Sequence, residues 1–354
     1  MGHGNAGSPG PAGSPGRSPF LGIGPVTGAA ITGSGMALPP SELSNADLAV
    51  RLGVDEDSIF TRTGIRTRRI AGDGETTASL GTEAAHGALK ASGVPAEDLD
   101  MVIVATSTPD YQMPSAASLV QTRLNAAGAG AFDINAACSG FLYALAQGSA
   151  LVEAGMAERV LVIGADTLTR VTDATDPKTS IIFGDGAGAV VIEKVDEPTR
   201  LGPFKLFSDG SLAPLLYIPP EEGVMRMRGR EVYRHAVEGM AQAVCDIIEA
   251  AGFTIEDVDA LVAHQANARI LEAVGTRLGL KEERVLSNIE RVGNTSAASI
   301  PIELALASES GLLADDDVVI VTAFGAGFAW GAGVVRWGSG QPRARAGAGE
   351  GMDV

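Results

Sequence analysis

One cysteine, Cys138, lies among very small residues in the segment DINAACSGF, between an apparent strand and an apparent helix. A thiol at a helix N-terminus faces free N–H groups and the positive end of the helix dipole, so we expect a lowered pKa. The small neighbours leave room for an acyl group. By itself the segment fits a buried core cysteine, the commoner case, or a nucleophile. Cys245 falls in an apolar helical pattern and is predicted to be buried and structural.

A histidine, His264, follows a short apolar run in LVAHQANARIL, where a strand gives way to a helix. Its ring should therefore point into whatever lies at the end of that strand, either in a reactive role or as a hydrogen-bonded structural histidine. His86 and His235 fall in amphipathic helical patterns and are expected at the surface or hydrogen-bonded, and His3 lies in the N-terminal tail.

An asparagine, Asn294, follows glycine and precedes small residues in ERVGNTSAASIP. Asparagine at such a position is often only a turn residue or a helix N-cap. Its side-chain amide is also a neutral hydrogen-bond donor. The pattern alone leaves both interpretations open.

Glycine-rich segments elsewhere do not predict a nucleotide site. FGDGAGA (183–189) and AFGAGFAWG (323–331) lack a following Lys-Ser/Thr, and each precedes a strand-like run rather than a helix. GSGMALPP lacks the third glycine of a dinucleotide fingerprint. No cluster of His, Cys and Asp has the spacing of metal ligands. The sequence therefore predicts neither a nucleotide cofactor nor a metal.

The elements that must position these residues repeat once along the chain. GVPAEDLDMVIV (93–104) and GFTIEDVDALVA (252–263) align without gaps at an offset of 159 residues. Each copy follows a helical pattern and ends in a short apolar run, which is typical of a buried strand. Later segments match as well: ERVLVIGAD resembles DDVVIVTAF, and FGDGAGAVVIEK resembles GAGFAWGAGVVRW.

The offset predicts which residues occupy equivalent places in the two copies. Ala105 corresponds to His264, and Cys138 corresponds to Ala297 inside GNTSAASIP. Sites in open α/β sheets lie beyond the strand ends. We therefore expect the candidate groups to converge on the axis that relates the two copies.

Alternating strands and helices in each copy predict an α/β fold, with a mixed or parallel sheet covered by helices on both faces. Two such units packed face to face would share a helix layer buried on both sides, which suits the 46 glycines. We predict an N-terminal half over 21–198 and a C-terminal half over 199–338. Tails rich in Gly, Pro, Ser and Ala, over 1–20 and 339–354, are expected to be disordered.

Composition excludes several classes of function. The 354 residues carry a net charge of -17, which disfavours nucleic acid and anionic membranes as partners, and 45% are hydrophobic, enough for a large core. No apolar run reaches the roughly 18 residues of a membrane-spanning helix. The N-terminal segment lacks the basic start and apolar stretch of a signal peptide. We therefore expect a cytoplasmic protein with free thiols.

Four segments together resemble one family. FDINAACSGF, HQANARI, GNTSAASIP and AFGAGFAWG occur in the order and spacing of β-ketoacyl-acyl-carrier-protein synthase III, the initiating condensing enzyme of type II fatty acid synthesis. TRTGIRTRRIA and IIFGDGAGAVV resemble the family too, and the likeness spans residues 21–338. It implies a thiolase-like, five-layered αβαβα fold with two pseudo-symmetric halves, a homodimer, and a reaction without metal or redox cofactor.

The resemblance implies a role for each candidate residue. Cys138 attacks an acyl thioester, in this family usually acyl-CoA, and the backbone N–H groups of Cys138 and Ala326 hold the oxyanion. Malonyl-acyl carrier protein then loses CO2 while His264 and Asn294 donate hydrogen bonds to the developing enolate oxygen. The carbanion attacks acyl-Cys138 and gives a 3-oxoacyl carrier protein.

The resemblance also places Arg62 against CoA, and Gln265, Ala266, Asn267 and Arg269 along the pantetheine tunnel that faces the acyl carrier protein. Two arginine clusters are available to supply the positive charge that phosphopantetheine and an acidic carrier need, although such runs are usually solvated faces. The clusters are Arg62, Arg66, Arg68 and Arg69, and Arg226, Arg228, Arg230 and Arg234.

Three places depart from the family pattern. Ser58 stands where many members have a Trp that stacks on the CoA adenine, and Pro177 and Lys178 replace an Arg-Gly pair on its other face. Stacking of a base on an aromatic side chain is worth about 1–3 kcal/mol in other binders, so we expect weaker selectivity for CoA. Met113 replaces an aromatic residue that often closes the acyl pocket across the dimer, and its flexibility favours longer or branched acyl groups.

The leading interpretation is an enzyme that initiates fatty acid synthesis, with three alternatives. One is a starter-unit ketosynthase of a polyketide or other secondary-metabolite pathway, which the altered adenine contacts slightly favour. Another is a non-condensing acyltransferase, but decarboxylation explains why Asn294 accompanies His264. The last is a non-catalytic subunit of a heterodimer, against which Cys138 argues. The acyl starter, and whether CoA or a carrier protein delivers it, are not predicted.

Overall fold

The computed structural model describes Met1 and residues 27–338, and the predicted tails otherwise lie outside these residues. The described strands are β1 (Gly28–Ala37), β2 (Glu42–Ser44), β3 (Thr67–Arg69), β4 (Met101–Ala105), β5 (Gly130–Ile134), β6 (Arg159–Thr167), β7 (Asp185–Val195), β8 (Leu201–Ser208), β9 (Leu216–Tyr217), β10 (Arg226–Met227), β11 (Ala260–Ala263), β12 (Val318–Gly325) and β13 (Ala329–Arg336). The α-helices are α1 (Asn45–Leu52), α2 (Glu56–Thr63), α3 (Thr77–Ser92), α4 (Ala116–Arg123), α5 (Gly140–Glu153), α6 (Gly229–Ala251), α7 (Ala268–Leu278), α8 (Ile289–Val292) and α9 (Ser299–Glu309).

Two mixed sheets form the frame and share one topology. The first has the order β1-β7-β6-β4-β5 and the second β8-β13-β12-β11. In the first sheet β4 is parallel to both β5 and β6, in the second β11 is parallel to β12, and the remaining pairs of both sheets are antiparallel. A parallel bridge between Leu261 and Val285 stands where the second sheet would have its β5. The predicted pseudo-symmetry is therefore confirmed, and the predicted boundary at 198/199 falls between β7 and β8.

Five layers alternate through the protein. Helices α3 and α4 cover the outer face of the first sheet, α6 and α7 cover the outer face of the second, and α5 and α9 lie between the sheets. The alternation of side chains along each strand explains this layering. On β4, Ile103 and Ala105 face the central helices, whereas Val102 and Val104 face α3 and α4. The fold is the predicted thiolase-like αβαβα arrangement.

Glycines let α9 approach the first sheet. A Cβ on Gly164 would lie 2.3 Å from the backbone oxygen of Ala297, and one on Gly188 would lie 2.5 Å from the backbone nitrogen of Ile302. No Cβ fits at such distances from a backbone, so only glycine permits this contact. The expectation that small residues allow close packing of a shared helix layer holds at these positions.

The 159-residue offset is also visible in three dimensions. Helix α3 ends at the left-handed Gly93 and is followed by a 3₁₀ turn and β4; α6 ends at the left-handed Gly252 and is followed by a 3₁₀ turn and β11. Ala137 and Ser296, also 159 residues apart, have φ of 48° and 55° just before α5 and α9. Positive φ is unfavourable for both residue types, so the surrounding structure must hold these two turns.

Helix α6 corrects one prediction. Its apolar stripe of Val232, Ala236, Met240 and Val244 packs on the second sheet, as its spacing predicts. Cys245 lies beside that stripe on the exposed side of the helix, so the prediction of a buried structural cysteine is wrong. Neither α6 nor any other helix within residues 27–338 has the length and apolarity needed to cross a membrane.

Candidate active site

Residues from both halves line one cavity of about 1290 Å³. Cys138 reaches it from the turn before α5, His264 from the end of β11, and Asn294 from the turn between α8 and α9. Ala326, which follows β12, also lines it. The structure thus brings together the three side chains and the backbone position that the sequence singles out.

Cys138 occupies the middle of a 3₁₀ turn, Ala137–Ser139, that leads into α5. The Ser139 hydroxyl donates to the backbone oxygen of Ala329 at 2.7 Å and ties this turn to β13 of the other half. Gly325 passes so close that a Cβ there would lie 2.8 Å from the backbone nitrogen of Cys138. Glycine at 325 therefore lets the chain before Ala326 approach the Cys138 amide, as an oxyanion site built from two N–H groups requires.

Burial raises the pKa of the Cys138 thiol to about 12. A hydrogen bond from Ser296, whose Oγ lies 3.4 Å from Cys138 Sγ, lowers this pKa, and the nearby Asp166 carboxylate raises it. This differs from the lowered pKa that the sequence predicts, because loss of solvation outweighs the helix N-terminus at this depth. The resting side chain is therefore a thiol, and it must lose a proton before it can attack.

His264 is buried and neutral. Its backbone N–H donates to Thr322 O at 2.7 Å and continues the pairing of β11 with β12. Its Nδ1 lies 2.9 Å from the hydroxyl of Ser299, the first residue of α9. Burial lowers the pKa of His264 to about 4, although a hydrogen bond to the Ser296 backbone opposes the shift. The ring carries no charge at neutral pH.

The Ser299 hydroxyl controls which nitrogen of His264 can donate into the cavity. This hydroxyl lies 2.8 Å from Ser296 O as well as 2.9 Å from His264 Nδ1. A hydroxyl has one hydrogen and donates to one of these acceptors at a time. When it donates to Nδ1, the proton of the neutral ring resides on Nε2, which then acts as a donor.

Asn294 is fixed at both its backbone and its side chain. Its N–H donates to Ile182 O at 3.0 Å, and Gly184 N–H donates to its carbonyl at 2.9 Å. Its Oδ1 accepts from Ser296 N–H at 2.8 Å, and its Nδ2 donates to Ala266 O at 3.4 Å. Since Oδ1 is occupied by a backbone donor, the amide has one orientation, and its second N–H hydrogen is available to the cavity.

Positive charge gathers along the cavity of an otherwise acidic protein. Glu231 is the one acidic side chain among its described lining residues. The lining cations are Arg62, Lys178, Arg228, Arg230 and Arg269. Such a concentration of positive charge suits phosphate groups and an acidic partner.

Other members of the first arginine cluster have structural roles. Arg68 is fully buried, and its guanidinium donates to Asn45 Oδ1 and to Ile181 O, each at 2.6 Å. Arg66 and Arg69 form ion pairs with glutamates. The sequence pattern groups these arginines together because it does not show the direction of each side chain. That direction depends on the packing of β3.

Ala266, Asn267 and Arg269 line the cavity, in agreement with the predicted tunnel. Asn267 has a second role as the N-cap of α7, where its side chain accepts from Ile270 N–H at 3.0 Å. This cap fixes the helix start beside His264. The start of α7, which forms part of the tunnel wall, is therefore held in a fixed position beside the end of β11.

Gln265 differs from the prediction, whereas the prediction for Met113 concerns the partner's pocket across a dimer and is not tested by a single chain. Gln265 is fully buried and is absent from the lining; its amide donates to Glu303 Oε2 at 3.1 Å, and its Oε1 accepts from Ser287 Oγ at 3.0 Å. It faces away from the cavity because the side chains at 264 and 265 point in opposite directions. Met113 is 84% exposed in the single chain and does not line the cavity.

Sequence reasoning missed Ser296, Ser299 and Asp166. The signal for Ser296 was available, because the 159-residue offset pairs it with Ala137, the neighbour of Cys138. Asp166 is an acidic residue near the end of the strand β6, and it is fully buried. Nothing in its local pattern shows that its carboxylate points toward the turn before α9.

Comparisons with known proteins agree with this geometry. Residues 132–210 match the family model described as 3-oxoacyl-[acyl-carrier-protein (ACP)] synthase III, and residues 248–337 match that of its C-terminal part. The chain is 45% identical over 318 residues to a β-ketoacyl-[acyl-carrier-protein] synthase III of Erythrobacter litoralis, covering 87% of this chain and 99% of that protein.

Two solved structures are also similar. A 3-oxoacyl-[acyl-carrier-protein] synthase III of Aquifex aeolicus matches with a TM-score of 0.85 and 42% identity, covering 88% of this chain and 100% of that chain. The priming β-ketosynthase of the R1128 polyketide biosynthetic pathway matches with a TM-score of 0.85 and 35% identity, covering 91% and 99%.

The buried neutral state of His264 makes stability depend on pH. Between pH 6.5 and about 4 the unfolded chain binds a proton at this residue that the folded chain does not. The contribution of His264 to the free energy of unfolding is therefore complete above pH 6.5. It declines as the pH falls, by about 2 kcal/mol between pH 7 and pH 5. His264→Gln should remove this decline from the free energy of urea unfolding, measured at one protein concentration.

The control is His86→Gln on the exposed face of α3, which keeps His264 and should retain the decline. If wild type and His264→Gln lose the same free energy of unfolding between the two pH values, His264 is not held neutral by burial.

Proposed function

The chain belongs to the β-ketoacyl-acyl-carrier-protein synthase III family, and from that premise we propose how its cavity performs the two half-reactions of an initiating condensation. Members are acyltransferases that start fatty acid synthesis by decarboxylative condensation. One observation carries the assignment of residues: a buried thiol, a neutral histidine and an oriented asparagine amide meet in one cavity. We assign these groups to Cys138, His264 and Asn294.

The first half-reaction transfers an acyl group to Cys138. The deprotonated Sγ attacks the thioester carbonyl, and the carbonyl oxygen becomes an oxyanion. The backbone N–H groups of Cys138 and Ala326 stabilise this oxyanion, a role supported by the close passage of Gly325 beside the Cys138 amide. The thioester C–S bond then breaks, the leaving thiolate takes a proton, and acyl-Cys138 remains.

The second half-reaction uses malonyl-acyl carrier protein. Loss of CO2 leaves an electron pair on the thioester enolate, whose oxygen accepts hydrogen bonds from His264 Nε2–H and Asn294 Nδ2–H. Both donors are neutral, so they stabilise the enolate without offering an acidic proton that would quench the carbanion. The carbanion attacks the carbonyl of acyl-Cys138, a carbon–carbon bond forms, and the thiolate leaves 3-oxoacyl-acyl carrier protein.

We assign the cationic lining to the phosphate groups of the two substrates and to the acyl carrier protein. Arg62, Lys178, Arg228 and Arg230 suit the phosphates of CoA and phosphopantetheine, and Arg269 at the start of α7 suits the acidic carrier surface. The proposed steps use side chains and backbone donors only, because the electron pair left by CO2 enters the new carbon–carbon bond. We therefore propose no metal or redox cofactor. A cytoplasmic location stays a prediction.

A second candidate is a synthase that primes a polyketide with an unusual starter. The likeness to a priming β-ketosynthase supports it. The cavity supports it as well, because Ser58 and Pro177 are absent from the lining and Lys178 alone of the three altered adenine positions is present. Both candidates share the chemistry above and differ in the acyl donor.

Intact-mass analysis after incubation with a panel of donors tests both candidates. The panel contains acetyl, isobutyryl and hexanoyl groups, each on CoA and on acyl carrier protein. We expect one acyl adduct in wild type, none in Cys138→Ala, and a retained adduct in the control Cys245→Ala. Fastest labelling by acetyl-CoA favours the fatty acid enzyme, and fastest labelling by branched, longer or carrier-bound donors favours the polyketide enzyme. Absence of any adduct contradicts both.

The role of Asn294 is tested by separating the two half-reactions. Asn294→Ala should leave Cys138 acylation within a few-fold of wild type and lower condensation about 10²–10³-fold, the usual cost of one lost donor to an oxyanion. Release of CO2 from malonyl-acyl carrier protein measures the second step. Asn294→Asp is the second variant, because it keeps the acceptor for Ser296 N–H and replaces the donor with a carboxylate oxygen. Undiminished condensation in both variants would refute the assignment.

We propose a homodimer formed through β5, the edge strand of the first sheet. An unpaired edge strand with apolar side chains favours pairing with another chain. Phe132 on β5 is 37% exposed, and Tyr111 and Met113, in the loop before α4, are 59% and 84% exposed. Ser107 and Asn135 line the cavity beside this edge. A second copy would therefore close the acyl end of the cavity and cover Met113.

The dimer is tested by light scattering during size-exclusion chromatography. Wild type should have twice the 36.0 kDa chain mass, and Phe132→Lys should shift it toward the single-chain mass by placing like charges at the interface. The control is Met156→Lys, an exposed methionine after α5, which should remain dimeric. A wild-type protein that elutes at the single-chain mass would eliminate the proposal.

A further inference from the structure

A second, smaller cavity of about 350 Å³ lies beside the first. Five residues line both cavities: Lys178, Tyr217, Met225, Met227 and Arg228. The lysine, the tyrosine and the arginine among them are exposed. The two cavities therefore adjoin where the larger one meets solvent, and a long ligand that leaves the larger cavity passes beside the smaller one.

A short hairpin carries the aromatic side chain of the smaller cavity. Strands β9 and β10 pair in antiparallel fashion, with Tyr217 directly opposite Arg226. Side chains of such a pair project from the same face, with their Cβ atoms about 4.5–5.5 Å apart. Met225 N–H, at the start of β10, donates to Val171 O at 2.8 Å and ties the hairpin to the N-terminal half. The hairpin thus holds an aromatic ring, 46% exposed, beside a guanidinium group.

Three cations line the smaller cavity: Lys178, Arg226 and Arg228. Asp176 is the one acidic side chain among the described lining residues. Its carboxylate is already engaged locally, because Oδ1 accepts from Lys178 N–H at 3.0 Å and Oδ2 accepts from the Thr179 hydroxyl at 2.8 Å. The cavity therefore has an excess of positive charge.

Arg226 forms an ion pair with Glu222, four residues before it. The two side chains are 48% and 42% exposed. An ion pair so open to water contributes little to stability. A phosphate group offers a guanidinium two parallel hydrogen bonds and more negative charge than one carboxylate. Arg226 is therefore available to a phosphate.

An aromatic ring among several cations suits a ligand that combines a flat base with phosphates. CoA has such a group, because adenine, a 3′-phosphate and a diphosphate lie at the end of the molecule opposite the thioester. A carrier protein presents the same pantetheine arm on a single phosphodiester and without a base. A volume of about 350 Å³ falls at the lower end of the range for small-molecule pockets, which suits one end of CoA.

We propose that the smaller cavity binds the adenosine 3′-phosphate end of an acyl-CoA donor. The proposal rests on the acylation of Cys138 described above and names the part of the donor that is recognised outside the reacting cavity. Tyr217 stacks on the base. Lys178 and Arg228, which line both cavities, contact the diphosphate between them, and Arg226, which lines only the smaller one, contacts the 3′-phosphate.

This position for the base differs from the two altered adenine positions in the sequence. Neither Ser58 nor Pro177 lines either cavity. The sequence predicts weaker selectivity for CoA from those two positions. In the proposed arrangement the Tyr217 ring offsets that loss from a different element, the hairpin.

The first experiment measures binding of adenosine 3′,5′-bisphosphate to the full chain by calorimetry. Wild type and Tyr217→Phe should bind equally, because both keep the ring. Tyr217→Leu keeps an apolar side chain without a ring and should bind about 10-fold more weakly, the usual order for a lost stack on a base. Arg226→Gln should weaken the bisphosphate about 10-fold and leave the affinity for adenosine 5′-phosphate unchanged. The control is Arg277→Gln, an exposed arginine on α7 that lines neither cavity.

The second experiment compares donors that carry the same acyl group on CoA, on pantetheine and on acyl carrier protein. In Tyr217→Leu the KM for acyl-CoA should rise about 10-fold while kcat stays unchanged, because the base is bound equally before and during the reaction. Acylation of Cys138 by acyl-pantetheine and by the carrier-borne donor should be unaffected, since neither has a base.

Three outcomes would overturn the nucleotide site. One is wild type that does not bind the bisphosphate, or binds it as well as Tyr217→Leu does. Another is an equal loss with acyl-pantetheine, which would show that the hairpin only shapes the larger cavity. The third is a loss confined to the carrier-borne donor, which would assign this surface to the carrier protein. Failure of every donor to label Cys138, with ring-dependent binding of the bisphosphate retained, would instead refute the proposed function and support the site.

Discussion

The close approach of two helix N-termini in the middle of the protein is the constraint on which the site depends. Helices α5 and α9 are buried between two sheets, and the turns that precede them meet at the pseudo-two-fold axis. That contact needs glycine at 164 and 188, and it holds Ala137 and Ser296 in left-handed conformations. Cys138 and Ser296 therefore face each other because the two halves pack, and neither turn would keep its geometry alone.

Burial then sets the chemistry of each group. The same desolvation raises the pKa of Cys138 and of Asp166 and lowers the pKa of His264. A neutral histidine suits an enolate, whereas a thiol that resists ionisation needs an acceptor for its proton. Both properties depend on the exclusion of water from the cavity. The cationic side chains of the lining are exposed to solvent, where phosphates would remain solvated.

Much of this protein could be predicted from the repeat. The 159-residue offset gave the two sheets, the equivalence of β4 and β11, and the convergence of Cys138 with the segment that contains Asn294. The local sequence pattern did not predict the direction in which a side chain points. Arg68 and Arg62 belong to one basic cluster, yet one is buried against Asn45 and the other lines the cavity. Gln265 likewise points away from the tunnel, although its local sequence does not show this.

The sequence by itself determined the residue types, their order and the periodicity that builds two equivalent halves, because these depend on neighbours along the chain. It also fixed the glycines without which the halves could not meet. Only the tertiary structure decided the pKa shifts of Cys138 and His264 and the contact of Ser296 with the thiol. Those properties depend on desolvation and on atoms more than a hundred residues apart, and neither is expressed in a local pattern.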